Sequence, residues 1–164
     1  MQKLYHRIKN HPHTQKVIKN KHFQKWEKYA SLIIWMAAIY YLSNKSLDFL
    51  GGFDLSTFVI RKIAHMFEFA ILTLLVFRIL NKTDKKSIHW EVLGSFIFAV
   101  LYAISDEYHQ SFVSGRIGTY RDVIVDTLGI LAAIWFILLD FKHRKILESK
   151  HIVAKIEKII KRTK

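Results

Sequence analysis

The sequence predicts an all-α membrane protein: four transmembrane helices in a bundle, N-in/C-in, with an amphipathic C-terminal helix on the inner leaflet. Three observations lead there. Hydrophobic residues make up 51% of the chain and fall in blocks, and the mean hydropathy is positive. The net charge is +13, yet the basic residues collect at the two ends and in one loop instead of mixing through the pattern, as they would in a soluble basic protein. Two polar stretches, 61–68 and 105–129, run into apolar segments that have no need of charge for solubility. The 164 residues fit one domain with tails. With no cysteine there is no disulfide framework and no thiolate metal site.

Residues 1–28 carry eight Lys/Arg and one acid, Glu27. This reads as a basic cytosolic arm held by anionic headgroups, at roughly 1 kcal/mol per basic residue near the surface. Nucleic acid is set aside as a partner, because no reading motif accompanies the charge. No apolar core follows until about residue 29 and no small-residue cleavage site is evident, so the arm is not read as a cleaved signal peptide. The first span is expected over 29–42. It is short, and snorkelling by Lys28 and Lys45, with Trp26, Tyr40 and Tyr41 as anchors, extends it. Gly51-Gly52 breaks the loop that follows.

The other spans are expected over 61–80, 88–105 and 122–141, with Trp90 anchoring the third. Small residues recur every fourth position, as Ser95, Ala99 and Ala103 and as Gly129 and Ala133. That spacing lets helix backbones approach closely. In residues 142–164, nine Lys/Arg alternate with Ile146, Val153, Ile156 and Ile160 at helical spacing, which predicts the amphipathic tail. The transmembrane domain is thus 29–141, between a 1–28 arm and a 142–164 tail. The tails and the 78–91 loop hold 21 of the 26 Lys/Arg. The positive-inside rule then puts both termini in the cytoplasm of a multi-pass plasma-membrane protein and both polar stretches on the outer face.

On a helix, Arg61, His65 and Glu68 share one face, as do Asp122, Asp126 and Gly129. At a rise of ~1.5 Å per residue, Glu68 lies ~10 Å below Arg61 and Asp126 ~6 Å below Asp122. An ionisable group at such depth costs several kcal/mol unless paired or wet. The favourable arrangement turns Glu68, Asp106, Asp122 and Asp126 inward to face Arg61, Lys62, His65, Arg116 and Arg121. It forms a polar pocket open to the outside.

One reading of that pocket is a network of ion pairs that only fixes helix register. The other is a site for a polar or anionic head group. Arginines there act as clamps for phosphate or carboxylate, and the catalytic candidates are His65 with Glu68 or Asp106 as an acid/base pair. The spacings His65-x-x-Glu68 and Asp106-x-x-His109 raise a metal reading. The neighbouring Arg61, Lys62, Arg116 and Arg121 already neutralise the acids, so no metal and no cofactor is expected. No nucleophile elbow surrounds Ser105, Ser111 or Ser114, and Gly115-Arg-Ile-Gly118 is too short for a phosphate loop. The remaining histidines sit in basic tails or at an interface and read as solvated.

Together the two stretches resemble the VanZ-like family of small bacterial membrane proteins. The matching residues are Arg61-Lys62-x-x-His65-x-x-Glu68, Asp106-Glu107-x-x-Gln110-x-Phe112-x-x-Gly115-Arg116 and Asp122-x-x-x-Asp126-x-x-Gly129. They cover about residues 61 to 130 in order, with the tails outside. Phe69 stands where tyrosine is common and Asp126 where asparagine is. A serine-rich motif usual after the first helix is partly present as Ser43-Asn44-Lys45-Ser46.

The resemblance implies a protein of the bacterial envelope and adds Glu107 and Gln110 to Arg61, Lys62, Arg116, Arg121, Asp122 and Asp126 as binding residues. The family's founding member is associated with low-level resistance to teicoplanin, a lipoglycopeptide antibiotic, without a change in the peptidoglycan precursor terminus. The expected role is binding or handling a lipid-linked or lipoglycopeptide head group, with lowering of teicoplanin susceptibility. The alternatives are a membrane-embedded hydrolase or transferase on a lipid-linked envelope precursor, and an ion- or proton-coupled transporter subunit. Whether the chain is an enzyme stays open. Expected partners are membrane lipids, the envelope ligand and a second copy of the chain.

Overall fold

A computed structural model describes residues 12–44, 55–81, 87–113 and 118–162, with side chains for 23–44, 59–81, 87–113 and 118–152. Four helices account for nearly all of them: α1 (Pro12–Ser43), α2 (Leu55–Leu80), α3 (His89–Gln110) and α4 (Tyr120–Arg162). No strand occurs among the described residues. The all-α expectation therefore holds, and each expected span falls on one of the helices, the third starting one residue before α3.

The helix ends differ from those expected, for a common reason. Pro12 opens α1, where its fixed φ and missing N–H suit a first helical position. From there to Ser43 no glycine or proline intervenes, so residues 12–28 of the basic arm and the first apolar segment form one helix. The same absence of a breaker carries α4 across residue 141 and on to Arg162. The expected amphipathic tail helix is thus a continuation of the fourth helix and not a separate element.

Side-chain pairings give an up-down-up-down order. Lys28 Nζ donates to the Arg78 carbonyl at 3.2 Å, and Arg78 pairs with Glu27 at 3.0 Å. Farther along, the Trp35 indole donates to the Glu68 carbonyl at 3.0 Å, so α1 and α2 are antiparallel. Tyr102 donates to the Met36 carbonyl at 2.8 Å and Asp106 meets Ser43, so α3 runs parallel to α1. Helix α2 is central: it packs most heavily on α4, then on α3, then on α1.

The core is Ile39, Phe69, Leu72, Ala99, Ala103 and Ile130, all at 0% exposure. The small-residue stripes fill the role expected of them. Ser95, Ala99 and Ala103 are buried along α3, and Gly129 and Ala133 along α4. Hydroxyls within these apolar helices turn back on their own turn: Thr73 bonds the Phe69 carbonyl, Ser95 that of Glu91 and Thr127 that of Val123.

Large apolar side chains face outward in number, among them Ile33, Ile34, Phe67, Leu101, Trp135 and Phe136. Among the described residues, two segments are long and apolar enough to cross a membrane, Val59–Leu80 and Tyr120–Ile152. Only 22% and 28% of their most apolar windows are buried within the protein. A core helix of a soluble domain would be mostly covered. Helices α1 and α3 do not meet the same threshold, because α1 is basic along its first half and α3 carries Glu91, Asp106 and Glu107.

Candidate functional site

The antiparallel order brings the C-terminal ends of α1 and α3 together with the N-terminal ends of α2 and α4. The described residues of the two polar stretches therefore lie between one end of the bundle and its middle. Their side chains form three linked groups.

The first group joins α1 to α3. Ser43 donates to Asp106 Oδ2 at 2.8 Å, and Gln110 Nε2 donates to the same oxygen at 2.7 Å and to Ser43 Oγ at 3.4 Å. All three residues are buried. A buried carboxylate without donors would be costly, and two neutral donors hold this one. Beside it, His109 Nε2 meets Asn44 Oδ1 at 2.9 Å, and its ring lies 4.4 Å from that of Tyr40. An open pocket of about 250 Å³ borders Asp106 between these two helices.

The second group joins α2, α3 and α4. Lys62 forms a close ion pair with Asp122. The Thr119 N–H donates to Glu107 Oε1 at 2.6 Å, so the start of α4 is tied back to the end of α3. Gly118 allows this approach, since a Cβ there would lie 2.8 Å from the Glu107 carbonyl oxygen. Burial lifts the Glu107 carboxyl above its ordinary range. The Thr119 N–H opposes that shift, Asp122 adds to it, Lys62 opposes it and Asp106 adds to it. Asp126, 3% exposed, sits within electrostatic reach of Asp106, Glu107, Asp122 and Lys62.

The third group lies one turn deeper on α2. His65 Nδ1 is 3.5 Å from Glu68 Oε2, with side chains 13% and 14% exposed. Between them in sequence is Met66, whose backbone touches Gly129 of α4. A close approach of α2 and α4 thus falls at the level of this pair.

Most of the sequence-predicted residues converge. Lys62, Asp106, Glu107, Asp122 and Asp126 form one electrostatic neighbourhood, Gln110 binds Asp106, and His65 faces Glu68. Arg61 is half-buried on α2 and Arg121 is exposed on α4. Arg116 lies outside the described residues. Asp106 takes its hydrogen bonds from Ser43 and Gln110, so the acid/base geometry present is that of His65 with Glu68. Among the described residues, no three or more His, Cys, Asp or Glu are grouped to hold a metal ion.

Two contributors were not among the predicted site residues: Ser43 and Asn44, which bring α1 into the site. The signal was the partial serine motif at 43–46. Trp35, whose indole reaches the Glu68 carbonyl, had no sequence signal beyond being an aromatic in an apolar run.

A family model described as VanZ/LLP1 matches residues 3–141. The match starts well before residue 61, so the basic arm falls within it, contrary to the expectation that both tails lie outside; residues 142–164 remain beyond it. No curated protein and no solved structure gives a significant match. The family match, with two apolar and mostly uncovered helices, identifies a membrane protein.

Proposed function

The chain belongs to the VanZ/LLP1 family, and on that premise we propose that it holds the polar head group of a lipid-linked envelope molecule or lipoglycopeptide at the outer face of the bacterial membrane. In this reading all four helices span, both termini are cytoplasmic, and the polar end of the bundle faces outward. The observation that carries it is the gathering of Asp106, Glu107, Asp122, Asp126 and Lys62 at one end of an otherwise apolar bundle. Groups that served only to fix helix register would need neither so many carboxylates nor an open pocket beside them.

In this site Lys62, Arg61 and Arg121 supply positive charge toward a phosphate or carboxylate, and Arg116 adds a bidentate clamp. His65 and Glu68, paired at 3.5 Å, provide a proton acceptor and donor one turn deeper. Helices α1 and α3 cross the membrane despite their charge because their polar ends are spent on the site and on the two interfaces. An acyl tail next to the head group would lie against the exposed apolar faces of the bundle.

The test is teicoplanin and vancomycin susceptibility of a host expressing wild type, Glu68→Gln or Arg116→Ala, with membrane levels followed by immunoblot. Wild type is expected to raise teicoplanin tolerance selectively, and both variants to lose the shift at unchanged membrane level. A variant that kept the full shift would overturn the assignment of its residue, and no shift with wild type would remove the lipoglycopeptide as ligand.

Orientation has its own check, helped by the absence of native cysteine. Ser111→Cys is expected to react with a membrane-impermeant maleimide in intact spheroplasts, and Lys150→Cys only after lysis. The reverse pattern would place the site inside.

A further inference from the structure

The pocket between α1 and α3 differs in character from the rest of the polar end. Tyr40, Tyr102, Tyr108 and Phe112 supply most of its lining, Asp106 and His109 border it, and among the described residues no lysine or arginine lines it. In a chain of net charge +13, that lining is selective against anions. Aromatic faces carry the negative end of the ring quadrupole and attract a cation within about 6 Å of the centroid. An anion placed here would meet those faces and a carboxylate.

Asp106 is the one buried residue of the lining, at 5% exposure. Its hydrogen bonds come from Ser43 and Gln110, both neutral, and both on Oδ2. These donors solvate the carboxylate without neutralising it, and Oδ1 accepts no hydrogen bond from a described residue. Among the described residues, the lysine at this end, Lys62, pairs with Asp122 on the α2–α4 side. The geometry around the pocket is also fixed. Tyr102 is anchored through its hydroxyl to the Met36 carbonyl, His109 is held by Asn44 and stacked on Tyr40, and Phe112 lies edge-on to Tyr108 at 5.0 Å.

We propose that the pocket formed by Tyr40, Tyr102, Tyr108, Phe112 and Asp106 binds an alkylammonium group, the amine or trimethylammonium end of an envelope molecule. Its volume of about 250 Å³ admits one small head group and not a whole amphiphile. The inference rests on the reading of this end of the bundle as a head-group site, and it adds a division of labour. The cationic residues of α2 and α4 take the acidic part of a ligand, and the aromatic pocket of α1 and α3 takes the ammonium part.

The experiment uses the full chain purified in an uncharged maltoside detergent. Choline chloride and ethanolamine hydrochloride are titrated by calorimetry against sodium chloride of equal ionic strength. Saturable binding of an ammonium probe is expected, with none for sodium. Asp106→Asn is expected to weaken it at least tenfold. The double variant Tyr108→Leu/Phe112→Leu alters two side chains that are 70% and 71% exposed. It leaves the core intact and is also expected to weaken binding at least tenfold, which keeps the test decisive if Asp106→Asn accumulates poorly.

Native mass spectrometry of protein extracted from membranes distinguishes the sources. Retention of phosphatidylethanolamine over phosphatidylglycerol, lost in the double variant, identifies a lipid head group, and choline binding without retained lipid identifies a soluble amine. Wild type that binds neither probe better than sodium, or a double variant that binds like wild type, overturns the proposal. Such a failure is separable from failure of the head-group function, because the susceptibility shift is read on Glu68, which does not line this pocket.

Discussion

Gly129→Ala is expected to destabilise the protein by roughly 3 kcal/mol, the upper end of what overpacking a tight contact costs. A Cβ at this position would lie 2.8 Å from the Met66 carbonyl carbon and 2.9 Å from its Cα, with the carbonyl oxygen closer still. All three atoms belong to the backbone of α2 and cannot rotate aside, so the two most heavily packed helices must move apart. Intrinsic propensity points the other way, since alanine is favoured over glycine in a helix by about 1 kcal/mol. The sign of the measured change therefore reports the contact itself. Thermal unfolding of the purified protein is the measurement, with Gly94→Ala as control. There the nearest atom is Leu80 Cδ1 at 3.0 Å, the far end of a flexible side chain, and a change within about 1 kcal/mol is expected. Equal melting of the two variants would mean that α2 and α4 do not meet at Gly129. Because Met66 sits between His65 and Glu68, the glycine variant should also lose whatever activity that pair supports.

The second large effect is expected from Asp106→Ala. Removal of the carboxylate takes from the Ser43 hydroxyl, at 0% exposure, and from the Gln110 amide, at 6%, the acceptor they share. Taking the acceptor from a buried donor costs about 1–3 kcal/mol, and the emptied volume adds to that. The damage should be local. Asp106 is the acceptor that fastens the end of α1 to α3, so hydrogen exchange is expected to accelerate at residues 40–44 while the α2–α4 contact around 66 and 129 stays protected. Unchanged exchange at 40–44 would count against the network. Asp106→Asn keeps an acceptor and should cost less stability, which is why it is the variant suited to ligand binding.

The stretches that could be read from sequence are those in which pattern and chemistry agree. Four apolar blocks separated by glycines and charge gave four helices, and the fourth-residue spacing of Ser95, Ala99 and Ala103 marked the buried side of α3. The convergence of Lys62, Asp122 and Asp126 followed from depth alone: a charge one turn into an apolar helix must find a partner, and the opposite sign stood at the matching level of another helix. Helix ends were harder. Where Lys and Arg replace Leu and Ile without a glycine or proline, hydropathy changes but the backbone has no reason to stop, so α1 and α4 overran the expected limits of their spans. The place of Ser43 and Asn44 in the site could not be deduced either. A hydroxyl or amide at a helix end is ordinary in any loop, and only the register of α1 against α3 sets these two opposite Asp106 and His109. The aromatic pocket was hidden for the same reason, since Tyr40 and Tyr108 are 68 positions apart and each alone reads as an interface anchor.

The unbroken course of α4 has a mechanical consequence. Its 43 residues extend over ~65 Å at 1.5 Å per residue, about twice the ~30 Å hydrocarbon thickness. Asp122 and Asp126 stand near one tip and the lysine-rich segment forms the other; no proline lies between, and the one glycine there, Gly129, is packed against the Met66 backbone. Such a rod acts as a lever: a tilt of ~5° about its middle displaces each tip by ~3 Å, in opposite directions. Any event that tilts α4 at its Asp122 end therefore moves the basic end the opposite way, so a displacement at one tip becomes movement at the other through a single piece of backbone.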